Sequence, residues 1–286
     1  MNSHQKLEKY VLENSYGNKS IDFSDNNAVL HLNKALLKYH YQLKDWNIPE
    51  NYLCPPIPGR SDYIHHIADL LAQDGIKTAV IGLDIGVGAN CIYPILGSRI
   101  YYWKMLGADI DPNAVAAANA NVDATPGLNE SIEIRHQEDP AYIFKGIVKE
   151  GEFYHFSMCN PPFHTSKEAA TKGSLRKLKN LGQSKLSGLN FGGQANELFC
   201  TGGESLFIKR MVKESVLYST QIGWFTSLVS KKENLAKIYK QLNKLKATHK
   251  TIEMAQGNKQ SRFIAGKFDL NRPPARFPVR SGTGRH

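Results

Sequence analysis

At 286 residues, with 41% hydrophobic and 10% aromatic side chains, the chain can bury a core large enough for one α/β domain with an attached module. This composition excludes a fibrous or wholly disordered protein, and a formal net charge of +10 points to a polyanionic partner, nucleic acid ahead of a membrane surface. Cys54, Cys91, Cys159 and Cys200 are scattered without a C-x-x-C pair. The N-terminus is polar and no apolar run reaches membrane length, so neither a zinc site nor a disulfide framework is expected and the protein reads as cytosolic.

Residues 1–27, rich in Asn, Ser and Lys, are predicted to be loosely ordered, ahead of a helical N-terminal module over 28–75. Within the module, Ala28 to Tyr41 has apolar positions at helical spacing, with Lys34 and Lys38 forming a basic side. Leu53-Cys54-Pro55-Pro56-Ile57-Pro58-Gly59-Arg60 reads as a stiff extended connector, because each proline fixes φ and restrains its predecessor. Ser61 is then expected to cap a helix ending near Gly75. The connector has two readings: a rigid linker, or a device holding Arg60 over the mouth of a neighbouring site.

The main domain is expected over 76–270. Thr78 to Leu83 is a short apolar strand, followed by Asp84-Ile85-Gly86-Val87-Gly88-Ala89-Asn90 and a helix through Cys91, Ile92 and Leu96. Strand, glycine turn and helix make the first crossover of a nucleotide-binding sheet. About twenty residues after Gly88, a second strand ends in Asp109, the spacing at which a carboxylate accepts from ribose hydroxyls. There is no third glycine and no GK[ST], which disfavours pyrophosphate and triphosphate ligands. A nucleoside without a phosphate chain, S-adenosylmethionine, fits better. Ala114 to Val122 reads as a helix and Ile132 to His136 as a third strand, placing Gln137 and Glu138 beside the expected adenine pocket.

The run Phe153 to Cys159 reads as a buried strand ending in Asn160-Pro161-Pro162-Phe163. Two prolines stop the ladder, so the chain turns out of the sheet at its carboxyl end, where open α/β sheets bind ligands. The turn suits an amino group on a flat ring: the Asn160 and Pro161 carbonyls accept its two N–H bonds and Phe163 stacks on the ring. The segment 164–203 carries Lys172, Arg176, Lys177, Lys179 and further cations against few acids, a composition suited to phosphate contacts. A helix through Leu206 to Val216, a buried strand from Gln221 to Val229 and an amphipathic helix from Glu233 to Lys246 follow. Arg262 to Phe268 is the last predicted strand, with Lys259 and Arg262 assigned to RNA contact, and 271–286 reads as a disordered basic tail.

Asp84-x-Gly86-x-Gly88, Asp109 and Asn160-Pro161-Pro162-Phe163, in this order and spacing, resemble the Rossmann-type amino-group methyltransferases of class I. Longer stretches, among them LCPPIPGRSDYIHHIADLL, LDIGVGANCIYPILG, CNPPFH, NFGGQANEL and AQGNKQSRFIA, resemble the bacterial RlmF family over about Phe23 to Phe268. That resemblance implies a mainly parallel seven-stranded sheet with helices on both faces, and S-adenosylmethionine as cofactor. It also implies methylation of N6 of one adenine of 23S ribosomal RNA, adenine-1618 in the family's name. Carried onto this chain, the cofactor contacts are Arg60, Asp84, Gly86, Gly88, Asn90, Asp109 and Gln137, the catalytic residues are Asn160, Pro161 and Phe163, and no metal takes part. Related proteins often have Lys after the Gln, where this chain has Glu138. The expected partner is 23S rRNA or a large-subunit precursor particle, met by a monomer. Two other readings remain: glutamine methylation of a protein release factor, which the basic insertion argues against, and a non-catalytic ribosome-assembly factor, which the intact site residues argue against.

Overall fold

The computed structural model describes residues 5–50, 52–162, 202–256 and 259–269. A seven-stranded sheet runs through it in the order β5-β4-β3-β6-β7-β9-β8. The strands are β3 (Ile81–Ile85), β4 (Lys104–Asp109), β5 (Ile132–His136), β6 (Tyr154–Cys159), β7 (Ile222–Leu228), β8 (Thr248–Gln256) and β9 (Lys259–Lys267). The five from β3 to β7 are parallel, and β9 enters antiparallel between β7 and β8. The first three strands progress outward from β3, and the chain then returns to place β6 on the other side of β3. The order therefore reverses between β3 and β6, and a crevice opens above their carboxyl ends. The fold is the expected class I methyltransferase arrangement.

Helices α1 (Asn26–Tyr41), α2 (Ile57–Gln73), α3 (Ile92–Tyr101) and α4 (Pro112–Asp123) contribute to one buried cluster that includes Leu37, Tyr63, Ile95, Val122, Phe156 and Phe263. Helices α5 (Gly203–Ser215) and α6 (Leu235–Lys244) contribute to the remaining core, with Met211 against Leu83 and Ile85, and Ile238 against Ile264. Successive strand residues face opposite ways. With Leu83 and Ile85 in one cluster, the intervening Asp84 is turned toward the side carrying α2 and α3.

Several local expectations are corrected. The helix expected after a Ser61 cap begins earlier, at Ile57, with Pro56 as N-cap, so the last four residues of the expected extended connector are helical. Proline is tolerated in a first helical turn, where its missing N–H has no intrahelical role. Ser61 Oγ instead donates to the Pro58 carbonyl at 2.8 Å. Residues 5–27, expected to be loose, form a 3-10 turn (Gln5–Tyr10) and a hairpin of β1 (Val11–Glu13) and β2 (Lys19–Ile21) that bury Leu7 and Ile21 against α1. Asp25 caps α1 by accepting from the Asn27 and Ala28 amides. Strand β8 was not predicted at all. The core shared by α1, α2 and the sheet also ties the helical module to the main domain.

Candidate active site at the switch point of the sheet

The glycine turn leaves β3 with positive φ at Gly86 (77°) and Gly88 (63°), conformations that favour glycine. The Gly86 and Val87 amides donate to the Ala108 carbonyl at 2.8 and 3.0 Å. The Gly88 amide donates to Asp109 Oδ2 at 2.9 Å, and Asp109 Oδ1 accepts from the Asp111 amide at 3.0 Å. Asp109 thus anchors the loop from the end of β4. Burial pushes its carboxyl pKa up, against the opposing pull of these amides. Among the described residues, a Cβ at Gly86 would meet nothing within 4 Å, so these leave the space over the turn open.

Asn160 follows directly on β6, whose Cys159 is in register with Ile85 of β3. The prolines and the parallel register bring its side chain to the glycine turn, next to Arg60 from the first turn of α2. With its amide assigned so that oxygen faces the guanidinium, Asn160 Oδ1 accepts from Arg60 Nη1 at 3.0 Å and Nη2 at 3.3 Å. Arg60 Nη1 also donates to Tyr93 OH at 2.7 Å, and Arg60 Nε is buried without a hydrogen-bond partner among the described residues. Asp84 is fully buried, and among the described residues both of its carboxylate oxygens lack a hydrogen-bond partner. Desolvation foremost, then repulsion from Asp109, raises its pKa from the ordinary 3.8 to about 8, with Arg60 pulling the other way. An acceptor pair of this kind is costly to leave unmatched inside a protein, and it calls for a cationic donor.

Other sequence-derived candidates sit differently. Gln137 is buried close to β4, its amide donating to the Asp109 carbonyl. Its side chain, however, donates to the Lys145 carbonyl at 2.9 Å and accepts from the Asp139 amide at 3.1 Å, which folds the loop after β5. Asn90 Oδ1 accepts from the Ile92 amide at 3.0 Å and so caps α3, while its carbonyl accepts from Trp46 Nε1. Arg262 lies at the same end of the sheet as Asn160, because β9 pairs with the exit of β7. Its guanidinium is turned inward, to Glu253 at 3.3 Å and the Ser230 carbonyl at 3.5 Å, since the β8–β9 register sets Arg262 opposite Glu253. The backbone of Lys259 opens β9. Phe163, Lys172, Arg176, Lys177 and Lys179, with most of the basic segment and the tail, lie outside the described residues.

Sequence reasoning missed the aromatic frame. Tyr93, in the first turn of α3, is the hydroxyl partner of Arg60, and burial pushes its phenol up to about 12, so it stays protonated. Tyr63 packs edge-on against it and bonds Thr226 at 2.7 Å, which donates to the Ser157 carbonyl of β6. Tyr52 OH donates to Asp111 Oδ2 at 2.6 Å, and Asn121 clasps Asn47, so the 43–52 segment is drawn along α4 to the glycine turn. The pairing of Tyr93 with Arg60 had no local signal; each is ordinary in its own helix.

Over residues 1–269 the chain matches a family described as RNA methyltransferase. It is 64% identical over 267 residues to Ribosomal RNA large subunit methyltransferase F of Christiangramia forsetii, covering 93% of this chain and 94% of that one. The chain belongs to the RlmF family. Its likeness to the protein of the same name from Pectobacterium carotovorum is 53% over 270 residues, 93% of this chain and 87% of that one. Among solved structures, the RlmF fold described here is similar to the human METTL16 catalytic domain in complex with MAT2A 3'UTR hairpin 1. The TM-score is 0.79 at 27% identity, with 96% and 93% of the two chains covered. The N-terminal domain of human METTL16 in complex with SAH matches at a TM-score of 0.74 and 27% identity, with 94% and 92% covered. An RlmF member is an RNA methyltransferase enzyme. Among the described residues, no helix is long and apolar enough to cross a membrane and no cluster of three or more His, Cys, Asp or Glu could hold a metal.

Proposed function

We propose that this protein transfers the methyl group of S-adenosylmethionine to N6 of one adenine of 23S ribosomal RNA, adenine-1618 by the family's assignment. The observation that carries the reading is the meeting, at one crevice, of the Asn160 amide with an orphaned buried carboxylate and an open glycine turn. Only the carboxylate and the turn concern the cofactor. The residues present fit it: Asp84 offers two unmatched acceptors to the methionine ammonium, Arg60 lies where a methionine carboxylate needs a cation, and Asp109 retains lone pairs for ribose hydroxyls. When bound, the cofactor supplies a sulfonium-borne methyl group that leaves by direct displacement.

The protein's task is then alignment of donor and acceptor at about 3–3.5 Å. The N6 lone pair of adenine is delocalised into the ring, so it must be localised before it attacks. Hydrogen bonds from both N6 protons to Asn160 Oδ1 and the Pro161 carbonyl favour a pyramidal nitrogen and direct its lone pair. The fork of Arg60 occupies both lone pairs of that amide oxygen, so an N6 proton takes the place of one Arg60 bond, the longer one from Nη2 at 3.3 Å, as Arg60 turns to the cofactor. Phe163 offers a stacking face that offsets a base-unstacking cost of a few kcal/mol. The N–C bond would form as the S–C bond breaks, with S-adenosylhomocysteine as the leaving group; no base is needed before attack, because the nitrogen becomes acidic only after methylation and its extra proton then passes to water.

The test is to map N6-methyladenine in rRNA from cells with and without this protein, together with transfer from labelled cofactor to rRNA fragments by the purified enzyme. Loss of one N6-methyladenine on deletion, restored by the purified protein, is expected. An unchanged rRNA map, or transfer to a release factor instead, overturns the reading.

A further inference from the structure

At the end of the sheet opposite Asn160, α1 and α3 both terminate beside the turn that enters β5, and together they enclose a cavity of about 200 Å3. His40, Tyr41, Ser98, Arg99, Tyr102 and Ser131 contribute to its wall, and no lining residue is acidic. Among the described residues, Arg99 Nε is buried without a hydrogen-bond partner, an N–H in need of an acceptor. Tyr102, in its wall, is 89% exposed, and Tyr39, next in the chain to the wall residue His40, is 70% exposed. Tyr39 packs edge-on against His40 at 4.8 Å, and Lys38 is exposed beside them.

Single exposed rings need no explanation, but exposed rings beside a polar cavity with an unmatched cationic donor are the elements of a single-strand site. The helix ends narrow the choice of ligand. Both α1 and α3 direct their carboxyl termini here, with Gln42 (φ 56°) and Tyr102 (φ 58°) as left-handed caps. Their partial negative charge opposes a bare anion and offers acceptors to N–H groups. An unpaired nucleotide brings both requirements at once: base amino groups for the carbonyls, a phosphate for Arg99 and the hydroxyls, and a flat face for the tyrosines.

We propose that this pole is an accessory RNA-binding site for an unpaired segment flanking the target adenine. The inference rests on the RNA-methylating reading above. The 10 residues of α3 separate the pole from the glycine turn by about 15 Å, a distance that a few nucleotides span. The site therefore grips RNA away from the target base and contributes affinity and register without entering the chemistry.

The test compares two RNAs: a 23S rRNA hairpin carrying the target adenine, and the same hairpin with an unpaired extension of about eight nucleotides, within the span of a single-strand site. Fluorescence anisotropy gives both dissociation constants for the wild type, for Tyr102→Asn and for Arg99→Gln. Asn accepts the left-handed backbone at 102, so that variant removes an exposed ring without backbone strain. The wild type is expected to bind the extended RNA roughly tenfold more tightly, as one or two base stacks supply. Both variants lose most of that advantage while keeping wild-type affinity for the bare hairpin and its single-turnover methylation rate. An extension advantage equal in wild type and Tyr102→Asn overturns the proposal, as does equal weakening of both RNAs. If neither RNA is methylated but the extension effect persists and depends on Tyr102, the accessory site stands and the assigned reaction falls.

Discussion

Asp84 and Asn160 carry the predictions that belong to single residues. Burial holds the Asp84 carboxyl near pKa 8, so below that pH it is largely protonated, and a cationic ligand that needs the carboxylate must displace the proton. Cofactor affinity is therefore expected to rise with pH below about 8, by up to tenfold per unit, and to flatten above it. Calorimetry on the wild type and Asp84→Asn checks this: the variant should bind weakly, with the slope abolished. The same shift has an opposite consequence for the unliganded fold. Unfolding returns Asp84 to its ordinary 3.8, so between 3.8 and about 8 the unfolded chain holds fewer protons and stability falls as pH rises. On the mechanism proposed above, replacement of Asn160 by Ala removes one of two acceptors for N6. Loss of one preorganised bond costs roughly 2.7–4 kcal/mol, a hundred- to a thousandfold fall in single-turnover rate, with RNA affinity little changed. Asn160→Asp keeps an acceptor and should retain substantial activity. A near-normal rate in Asn160→Ala would sink the mechanism.

At the scale of elements, the glycine turn is supported from below by β4. A Cβ on Gly107 would lie 2.7 Å from Val87 Cγ2 and 2.9 Å from Ile134 Cδ1, so β4 approaches the turn more closely than any side chain permits. Gly107→Ala is expected to lift the turn, with a stability loss of about 1–3 kcal/mol. Denaturant unfolding should show that loss, and calorimetry a weaker cofactor. Asp109→Ala acts on the same turn from another direction. It deletes the acceptor of the Gly88 amide as well as the expected ribose contact, so cofactor affinity should fall further than loss of one ligand contact implies. An unchanged dissociation constant on folded Asp109→Ala would remove it from the site.

The whole molecule presents its candidate active-site crevice on a chain of net charge +10. Lys172, Arg176, Lys177 and Lys179 follow the Asn160 turn closely in sequence and belong to that excess. Their joint neutralisation is expected to lower RNA affinity and reduce the slope of log affinity against log salt by up to roughly three, with cofactor affinity unchanged. A salt slope equal to that of the wild type would make the segment an ordinary solvated one. The accessory pole would add a second foothold for the same polyanion at the opposite end of the sheet.

Local rules in the chain determined the parts of this protein that a single segment can specify. The D-x-G-x-G turn needs positive φ after a strand, so glycine there betrayed the first crossover. Asp109 at the end of the next strand and the double proline after β6 marked where the chain leaves the sheet. The apolar periodicity of α6 and the short apolar strands were equally legible. Tertiary structure decided what depends on partners distant in sequence. Strand β8 has only Ile252 and Met254 in or against the core, and β9 alone gives it a place at the edge. Proline suggested an extended 53–60, yet Pro58 fits a helical first turn once α2 packs on the core. Gln137 and Asn90 read as cofactor ligands because their positions follow strand and turn. The folded loops add what the sequence does not show, that the Gln137 side chain and Asn90 Oδ1 already meet backbone groups nearby. The union of Arg60, Tyr93, Asp84 and Asn160 joins four separate segments. Their spacing in sequence carries no trace of it, because a hydrogen bond and a buried charge are set by distance in space, and that distance exists only after the sheet has closed between the helices.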